Sequence, residues 1–217
     1  MSSDRAAGTT RKTAAPRQRR AVETRDGLLA TVESIVAKEG ADAVTTTRVA
    51  LESGVAVGTI YRYFEDRDAM LLAAYDATVV RVVDICHQAL EALPEAVPVE
   101  TAARNLLGIY LEAAESIPAH AGLLAAMRHL RPVEAGQSAN EDRIVSELVA
   151  PFLARFVPAA ARDGMRMHLM SLVIGTLVDL YLVTGDTEDR AMLRGELEAY
   201  VLFMVERALQ AARDPAG

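Results

Sequence analysis

The sequence predicts an all-α fold of about nine helices, in which an N-terminal three-helix helix-turn-helix domain precedes a C-terminal helical domain. Apolar residues recur at helical spacing along most of the chain, and no segment shows the alternation of a half-buried strand. Proline and glycine separate the apolar segments and mark where helices end. Because 51% of the 217 residues are hydrophobic and 24% are charged, the chain can bury a sizeable core.

The first helix is predicted from Ala21 to Glu39, where apolar side chains share one face and Gly40 ends the helix. Residues 1–20 are rich in Ser, Thr, Ala, Pro and Arg and show no apolar periodicity. This composition cannot bury enough apolar surface to order itself, so we expect a disordered basic arm there. The arm either adds contacts to a partner or is simply solvated.

Residues 45–70, TTTRVALESGVAVGTIYRYFEDRDAM, predict two short helices joined by a tight turn. Thr45 or Thr46 caps the second helix, which ends at Ser53 before a glycine that adopts positive φ without steric cost. The third helix spans about Ala56 to Tyr63 and has few apolar residues to bury. A helix that exposes Thr, Tyr and Arg is suited to contact another molecule, which in a helix-turn-helix is the DNA major groove.

This segment resembles the DNA-binding segment of the TetR family of bacterial transcriptional regulators. The matching residues are Thr45, Val49-Ala50, Gly54-Val55, Gly58-Thr59-Ile60-Tyr61, Tyr63-Phe64, Arg67 and Met70. With the helix before it, the resemblance covers roughly the first third of the chain. Two residues depart from the family pattern: Ala56 replaces the Ser or Thr that caps the recognition helix, and Val57 replaces a frequent Lys, Arg or Pro. Loss of such a cap costs about 1 kcal/mol of helix stability.

The resemblance implies a DNA-binding surface on the second and third helices. Thr45, Thr46 and Arg48 lie where hydroxyls and free backbone N–H groups can bind phosphate, although either threonine can serve as an ordinary N-cap. Four residues match phosphate-contacting positions of the family, namely Thr59, Tyr61, Tyr63 and Arg67. Three residues are predicted to contact the groove, namely Val57, Gly58 and Arg62.

A long fourth helix is predicted from Arg67 to about Leu93, with Asp66 as its N-cap. It connects the DNA-binding domain, residues 21–66, to an effector-binding and dimerisation domain, residues 67–217. Further helices are expected at about residues 99–116, 119–130, 141–156, 162–184 and 188–212. Pro151 should kink or split its helix, and Arg131 to Asn140 is predicted to be irregular and mobile.

The last two helices carry more apolar residues than one outward face needs. Residues 167–183, MHLMSLVIGTLVDLYLV, are apolar nearly all round, so we expect this helix to be buried on all sides. The pattern favours a homodimer through a four-helix bundle, as the family forms, and the alternative is a purely intramolecular core. The predicted interface residues are His168, Leu172, Gly175, Asp179, Leu193, Leu197, Tyr200, Val201, Met204 and Ala208. Across a two-fold axis, His168 of one subunit could meet Asp179 of the other.

The family's body domain encloses an effector pocket, and the resemblance therefore implies one here. The candidate lining residues are Arg104, Leu107, Tyr110, Leu111, Met127, Arg128, Phe152, Phe156, Met167 and Met170. Methionine adapts to irregular ligands, but each methionine can equally fill the core. Arg104 could pair with an anionic ligand or lie on the surface.

The net charge of −7 is unevenly distributed along the chain. Up to Arg25 there are seven basic residues against two acidic ones, whereas from Arg81 onward there are twelve basic against nineteen acidic. Such polarity suits a protein with one end that faces DNA and another that does not. The single cysteine, Cys86, excludes an internal disulfide and fits a reducing cytoplasm.

The sequence contains no motif that indicates catalysis, a cofactor or a metal. No catalytic triad or nucleotide loop is evident, and the four histidines lack metal-ligand spacing. The longest apolar stretch contains Asp179, so it predicts a core helix and no membrane partner. We therefore expect a cytoplasmic, ligand-responsive repressor that binds a palindromic operator as a dimer and is released by a small apolar or amphipathic effector. The alternative is a helical ligand-binding protein or enzyme whose helix-turn-helix no longer reads DNA.

Overall fold

The computed structural model describes residues 16–130 and 143–213, and within these ranges every regular element is a helix. This confirms the predicted all-α class. The α-helices are α1 (Pro16–Glu39), α2 (Thr46–Ser53), α3 (Val57–Ile60), α4 (Arg67–Ala92), α5 (Val99–Glu115), α6 (His120–Leu130), α7 (Ala150–Phe156), α8 (Gly164–Val183) and α9 (Thr187–Arg213). The predicted arm up to residue 15 and the predicted mobile stretch Arg131 to Asn140 lie outside the described residues. The part of the arm from Pro16 to Arg20 is helical, so α1 begins five residues before the predicted Ala21.

Local hydrogen bonds explain where the first short helices begin and end. The Thr45 side chain accepts from the backbone N–H of Arg48 at 3.1 Å and so caps α2. Gly54 then takes φ 70°, a left-handed conformation that glycine adopts without strain. Asp66 caps α4 by accepting from the N–H of Ala69 at 2.7 Å. These three features confirm the predicted boundaries of α2 and the predicted start of α4.

The helix α3 is shorter than predicted because its last residues form a turn. It ends at Ile60 instead of Tyr63, and the N–H of Phe64 returns to the Ile60 carbonyl at 3.0 Å. The N-cap Ala56 makes no side-chain hydrogen bond, as its methyl group requires. With one end uncapped and a single turn of helix, α3 depends on packing against its neighbours for its stability.

The helices α1 to α3 form a head around a continuous core. Its fully buried members include Leu28, Val32, Ile35, Val49 and Ile60. The same cluster continues into α4 through Met70, Leu71 and Ala74, into α6 through Leu123, and includes Ala119 just before α6. The core of the head therefore extends beyond residue 66, where the domain boundary was predicted.

The helices α4 to α9 form the body around a second core. Side chains such as Cys86, Leu111, Phe152, Tyr181 and Leu197 are buried together there. The C-terminal end of α4 is fixed in this body by an arginine from α7. The Arg155 guanidinium donates to the carbonyls of Leu90 at 2.7 Å and Leu93 at 2.6 Å, at the end of the helix.

Pro151 interrupts its helix as predicted. A π-helical turn, Val145–Val149, precedes α7 directly, and Pro151 lies in the first turn of α7. Because proline has no N–H, the Glu147 carbonyl four residues earlier loses its usual donor. That carbonyl accepts instead from Nδ1 of His87 at 3.1 Å. The irregularity thus links α4 to the π-helical turn.

Candidate nucleic-acid interface

The helix α3 lies on the outside of the head, with one face buried and the other in solvent. Ile60 is completely buried and Phe64, just after the helix, is 5% exposed, so these two side chains anchor it. On the outer face, Val57 is 36% exposed and Tyr61 is 56% exposed, and Gly58 is exposed as well. The predicted groove-contacting residues are therefore accessible to a large partner.

Two aromatic side chains at the end of α3 have different environments. Tyr61 projects into solvent, whereas Tyr63 is half-buried beside Phe64, with their ring centroids 6.4 Å apart. The guanidinium of Arg62 lies over the Tyr63 ring at 5.2 Å, and its Nη2 donates to the Tyr63 hydroxyl at 3.4 Å. This cation–π contact holds a positive charge next to the exposed face.

The start of α2 offers hydroxyl groups on the head. The Oγ1 of Thr45 accepts the capping hydrogen bond, which leaves its hydroxyl hydrogen available to donate. Thr45 is exposed, and Thr46 and Thr59 are half-buried. The N-cap role and a phosphate contact are compatible for Thr45, because they use different atoms of the hydroxyl.

Arg48 is engaged inside the head, which corrects its predicted role as a free phosphate contact. Its guanidinium pairs with Glu39 of α1, through Nη1 at 2.8 Å and through Nη2, and its Nε donates to Glu52 at 2.8 Å. These hydrogen bonds raise the pKa of Arg48 above its ordinary value and lower the pKa of Glu39. Arg48 therefore links α1 to α2.

Arg67 also differs from its prediction, because its donors are used within the protein. Its Nε donates to the carbonyl of Val44 at 2.9 Å and its Nη2 donates to the carbonyl of Ala41 at 2.8 Å. Its Nη1 donates to Asp68 at 3.1 Å. Arg67 thus fastens the start of α4 to the segment between α1 and α2, and we reassign it from phosphate contact to positioning.

One basic residue near α3 was not among the predicted site residues. The Arg25 guanidinium on α1 lies 5.7 Å from the centre of the Phe64 ring, and the side chain is exposed. Its position extends the positive charge of Arg62 across the head. The basic excess before residue 26 is the sequence signal that could have identified it.

The predicted dimer residues divide between the core and the surface of a single protomer. Leu197, Val201 and Ala208 are 1–8% exposed and pack in the protomer's own core, so they have no surface to offer a second copy. Leu193 and Met204 pack partly against that core. Leu172, Gly175 and Tyr200 are exposed, and His168 and Asp179 are half-buried. The structure thus excludes Leu197, Val201 and Ala208 from the predicted interface. The exposed and half-buried residues remain candidates for it.

We predicted that α8 would be buried on all sides, but one of its faces is exposed. Met170, Val178, Tyr181 and Leu182 face the core, but the opposite face is exposed. With α9, that face carries exposed large apolar side chains, namely Leu169, Leu172, Leu180, Met192, Tyr200 and Phe203, which we call the α8–α9 face. Among the described residues α8 is also the one helix long and apolar enough, by length and composition, to cross a membrane. A core helix meets the same criterion, and the inner face of α8 packs in the body.

The predicted effector-pocket residues differ in how deeply they are buried. Arg104 lies on the surface, where its Nε pairs with Glu198 at 2.8 Å, and Arg128 is exposed. Leu111, Met127, Phe152 and Met170 are buried. Leu107, Tyr110, Phe156 and Met167 are half-buried. A groove of about 500 Å³ lies elsewhere, between the start of α5 and the end of α9, and its walls include Glu100, Phe203 and Arg213.

The body contains three interacting polar side chains, Tyr110, Cys86 and Asp179, of which Tyr110 was a predicted pocket residue. Burial raises the pKa of the Tyr110 hydroxyl, and the nearby Asp179 and Cys86 raise it further. Burial also raises the pKa of the Cys86 thiol to about 12. The Asp179 and Cys86 groups therefore interact electrostatically with the Tyr110 hydroxyl. In the described part of the chain, no cluster of three or more His, Cys, Asp or Glu side chains could hold a metal ion.

An exposed recognition helix on a three-helix head, joined to a helical body, defines a helix-turn-helix protein. Residues 28–74 match the sequence model of the bacterial regulatory proteins of the tetR family. Over these residues the chain resembles the TetR family of bacterial transcriptional regulators, which are DNA-binding proteins. No curated protein matches the chain.

Alignments of this chain with solved structures of the same fold span nearly the whole length of those structures' chains. One is the TetR family repressor AlkX from Dietzia sp. strain DQ12-45-1b, implicated in biodegradation of n-alkanes. It is 16% identical, with a TM-score of 0.59 over 84% of this chain and 95% of that one. A TetR-family regulator from Streptomyces coelicolor is 20% identical, with a TM-score of 0.57 over 82% and 97%. The fatty acid degradation regulator FadR from Bacillus halodurans is 15% identical, with a TM-score of 0.52 over 88% and 97%.

Proposed function

We propose that this protein is a cytoplasmic, homodimeric transcriptional repressor that binds a palindromic operator and is released by a small effector. The observation that carries the proposal is the exposed face of α3, anchored from behind by Ile60 and Phe64. An outward-facing short helix, followed by a turn that exposes Tyr61 and Arg62, fits the major groove.

The contacts with DNA divide into two kinds. Val57, Gly58 and Arg62 face the base edges, and hydroxyls of Thr45, Thr46, Thr59, Tyr61 and Tyr63 donate to phosphates. Arg25 adds a positive charge at the rim of this surface. Phosphate contacts position the head without carrying sequence information, so the three groove residues determine most of the specificity.

The α8–α9 face is the surface that supports a dimer. Its apolar side chains recur at helical spacing on α8, and exposed contiguous apolar patches of this kind mark interaction sites. Packing two copies of α8 and α9 gives a four-helix bundle with two-fold symmetry. Such symmetry would place two α3 helices in successive major grooves, about 34–36 Å apart.

Two features would carry an effector signal from the body to the head. The helix α6 contributes Leu123 to the head core, and α4 is tied to the head by Arg67. An effector that repacks the body shifts these helices and changes the spacing of the two heads. A coupling of about 1–3 kcal/mol is sufficient for such a response. An apolar or amphipathic effector suits the apolar core. The AlkX repressor is implicated in biodegradation of n-alkanes, and FadR is a fatty acid degradation regulator.

The proposal is tested by DNA binding of the full-length protein and its Tyr61→Ala variant. We expect a salt-dependent gel shift with duplexes selected from a random library, and a loss of about tenfold or more in affinity for the variant. Ile85→Ala is the control, because Ile85 is a 43% exposed residue of α4 outside the head. Equal binding by Tyr61→Ala and wild type would contradict the proposed interface.

A second candidate function is a helical ligand-binding protein or enzyme whose head no longer reads DNA. The uncapped start of α3 at Ala56 is the observation that favours it. Failure of the wild-type protein to retain any duplex, together with ligand-dependent stabilisation of the body, would support this alternative.

A further inference from the structure

The first residues of the recognition helix present an apolar surface to the outside. Ala56, Val57 and Gly58 are all exposed, and none of their side chains can donate or accept a hydrogen bond. We call these three residues the leading edge. Apart from its chain neighbours, a Cβ added to Gly58 would meet no atom within 4 Å, so the space at Gly58, the residue next to Val57, is open. A base edge can therefore approach the valine methyl groups closely.

The orientation of the leading edge is fixed by the core. Ile60 lies three residues after Val57 and is fully buried, while the backbone hydrogen bond from Phe64 to Ile60 closes the following turn. This anchoring leaves Val57 at the outer side of α3. In helix-turn-helix proteins the first residues of the recognition helix contact base edges.

We propose that Val57 reads a thymine in each operator half-site through the 5-methyl group of that base. This inference rests on the proposed DNA-binding function and assigns part of its specificity. Among the four natural bases, only thymine presents an apolar group in the major groove. A valine in van der Waals contact with that methyl group removes apolar surface from water on both sides.

The same contact disfavours the other bases. Cytosine would bring its amino donor, and guanine its two acceptors, against a side chain that cannot satisfy them. A polar group desolvated without a partner weakens binding. Arg62, in the turn that follows α3, carries a charged side chain that lies over the Tyr63 ring. It is therefore positioned to read a different base pair.

The experiment replaces thymine by uracil, which differs only in lacking the methyl group. Operator duplexes are first selected with the full-length protein from a synthetic random library that contains no 5-methylcytosine. Each symmetric pair of thymines is then replaced in turn, and affinity is measured for wild type, Val57→Ala and Ile85→Ala. Both variants shorten an exposed β-branched side chain to alanine, so Ile85→Ala is the matched control.

One thymine pair should show a methyl dependence that requires Val57. For wild type and Ile85→Ala, its replacement should weaken dimer binding by about 15-fold, which is about fourfold for each methyl group. For Val57→Ala the effect should fall below about twofold, since the methyl group then has no partner to contact. Val57→Ala should bind the thymine and uracil duplexes almost equally.

Two results would overturn the inference without touching the proposed function. One is binding in which every methyl dependence is the same for wild type and Val57→Ala. The other is a set of selected half-sites in which Val57→Ala relaxes the preference for guanine or cytosine. If wild type retains no duplex at any salt concentration, the proposed function itself fails, and the inference fails with it.

Discussion

The side chains of Thr78 and His120 form a hydrogen bond of 2.8 Å in the buried joint between α4 and α6. The Thr78 hydroxyl donates to the Tyr75 carbonyl at 2.7 Å, so Nδ1 of His120 is the donor to Thr78. The imidazole also lies against the Tyr75 ring, with centroids 5.6 Å apart. Burial and the nearby charge of Arg81 lower the pKa of His120 to about 4.

The neutral imidazole makes stability depend on pH between about 4 and 6.5. In this window the unfolded chain binds a proton at His120 and the folded protein does not, so the free energy of unfolding falls as the pH falls. Between pH 7 and pH 5 we expect a loss of about 2 kcal/mol from this residue. Urea unfolding at fixed protomer concentration measures it. His120→Gln cannot titrate and should lose correspondingly less; identical losses would show that His120 is not responsible.

Cys86 should resist thiol reagents while the protein is folded. The residue is fully buried, and burial raises its thiol pKa from 9.0 to about 12. At pH 8 the thiolate fraction is then lower than that of an ordinary thiol on the order of a thousandfold. Labelling followed by mass spectrometry should be slow until urea unfolds the chain. Rapid labelling of the native protein would mean that the core around α4 opens readily.

Replacing Arg67 by lysine should destabilise the protein although it conserves the charge. An ammonium group cannot reach the carbonyls of Ala41 and Val44 in the forked geometry of a guanidinium. We expect a loss of about 1–2 kcal/mol in the free energy of unfolding. Asp68→Asn is the control, since it removes only an exposed ion-pair partner and should cost less than about 0.5 kcal/mol. If Arg67→Lys left the free energy of unfolding unchanged, the positioning role would be refuted.

A charge at the centre of the α8–α9 face should weaken the proposed dimer. Leu172 is 45% exposed in one protomer, and Leu172→Glu would place two carboxylates in the bundle. Sedimentation velocity should show at least about a tenfold rise in the dimer dissociation constant. Leu51→Glu changes an 81% exposed leucine on α2 and should leave the dimer intact. A wild-type monomer at all concentrations would remove the basis for the two-head arrangement.

Two helical glycines should respond oppositely to alanine. At Gly122 on α6, an added Cβ would lie 2.9 Å from Cγ1 of the buried Val36 on α1, so one helix must move. At Gly108 on α5, an added Cβ would meet nothing within 4 Å. We expect Gly108→Ala to stabilise by about 0.5–1 kcal/mol through helix propensity. Gly122→Ala should instead destabilise by about 1 kcal/mol, and thermal unfolding distinguishes the two signs.

Local sequence rules recovered most helix boundaries, because caps and breaks depend on neighbouring residues. Thr45, Gly54, Asp66 and Pro151 all act where their chemistry predicts. The partners of Arg67 lie 23 and 26 residues away, and no local rule predicts such contacts. Its reassignment therefore required the three-dimensional arrangement.

Helical spacing also could not decide which apolar residues face the protomer's own core. Leu197 and Tyr200 lie three residues apart on one predicted stripe, yet Leu197 is 1% exposed and Tyr200 is 43% exposed. One apolar stripe can supply side chains both to the protomer's own core and to an adjacent interface. Its sequence pattern is the same in either case. The spacing likewise could not show that Arg104, a predicted pocket residue, lies at the surface and pairs with Glu198.

The intrusion of α6 into the head has a consequence for chimeric regulators. Ala119 and Leu123 complete a cluster that begins with Leu28, although more than 80 residues separate them along the chain. A chimera spliced after residue 66 would pair this head with α4 and α6 of another protein. The apolar side chains between the head and those helices would then not pack together. Transplanting its sequence preference to another scaffold therefore requires exchanging the matching surface of α6 as well.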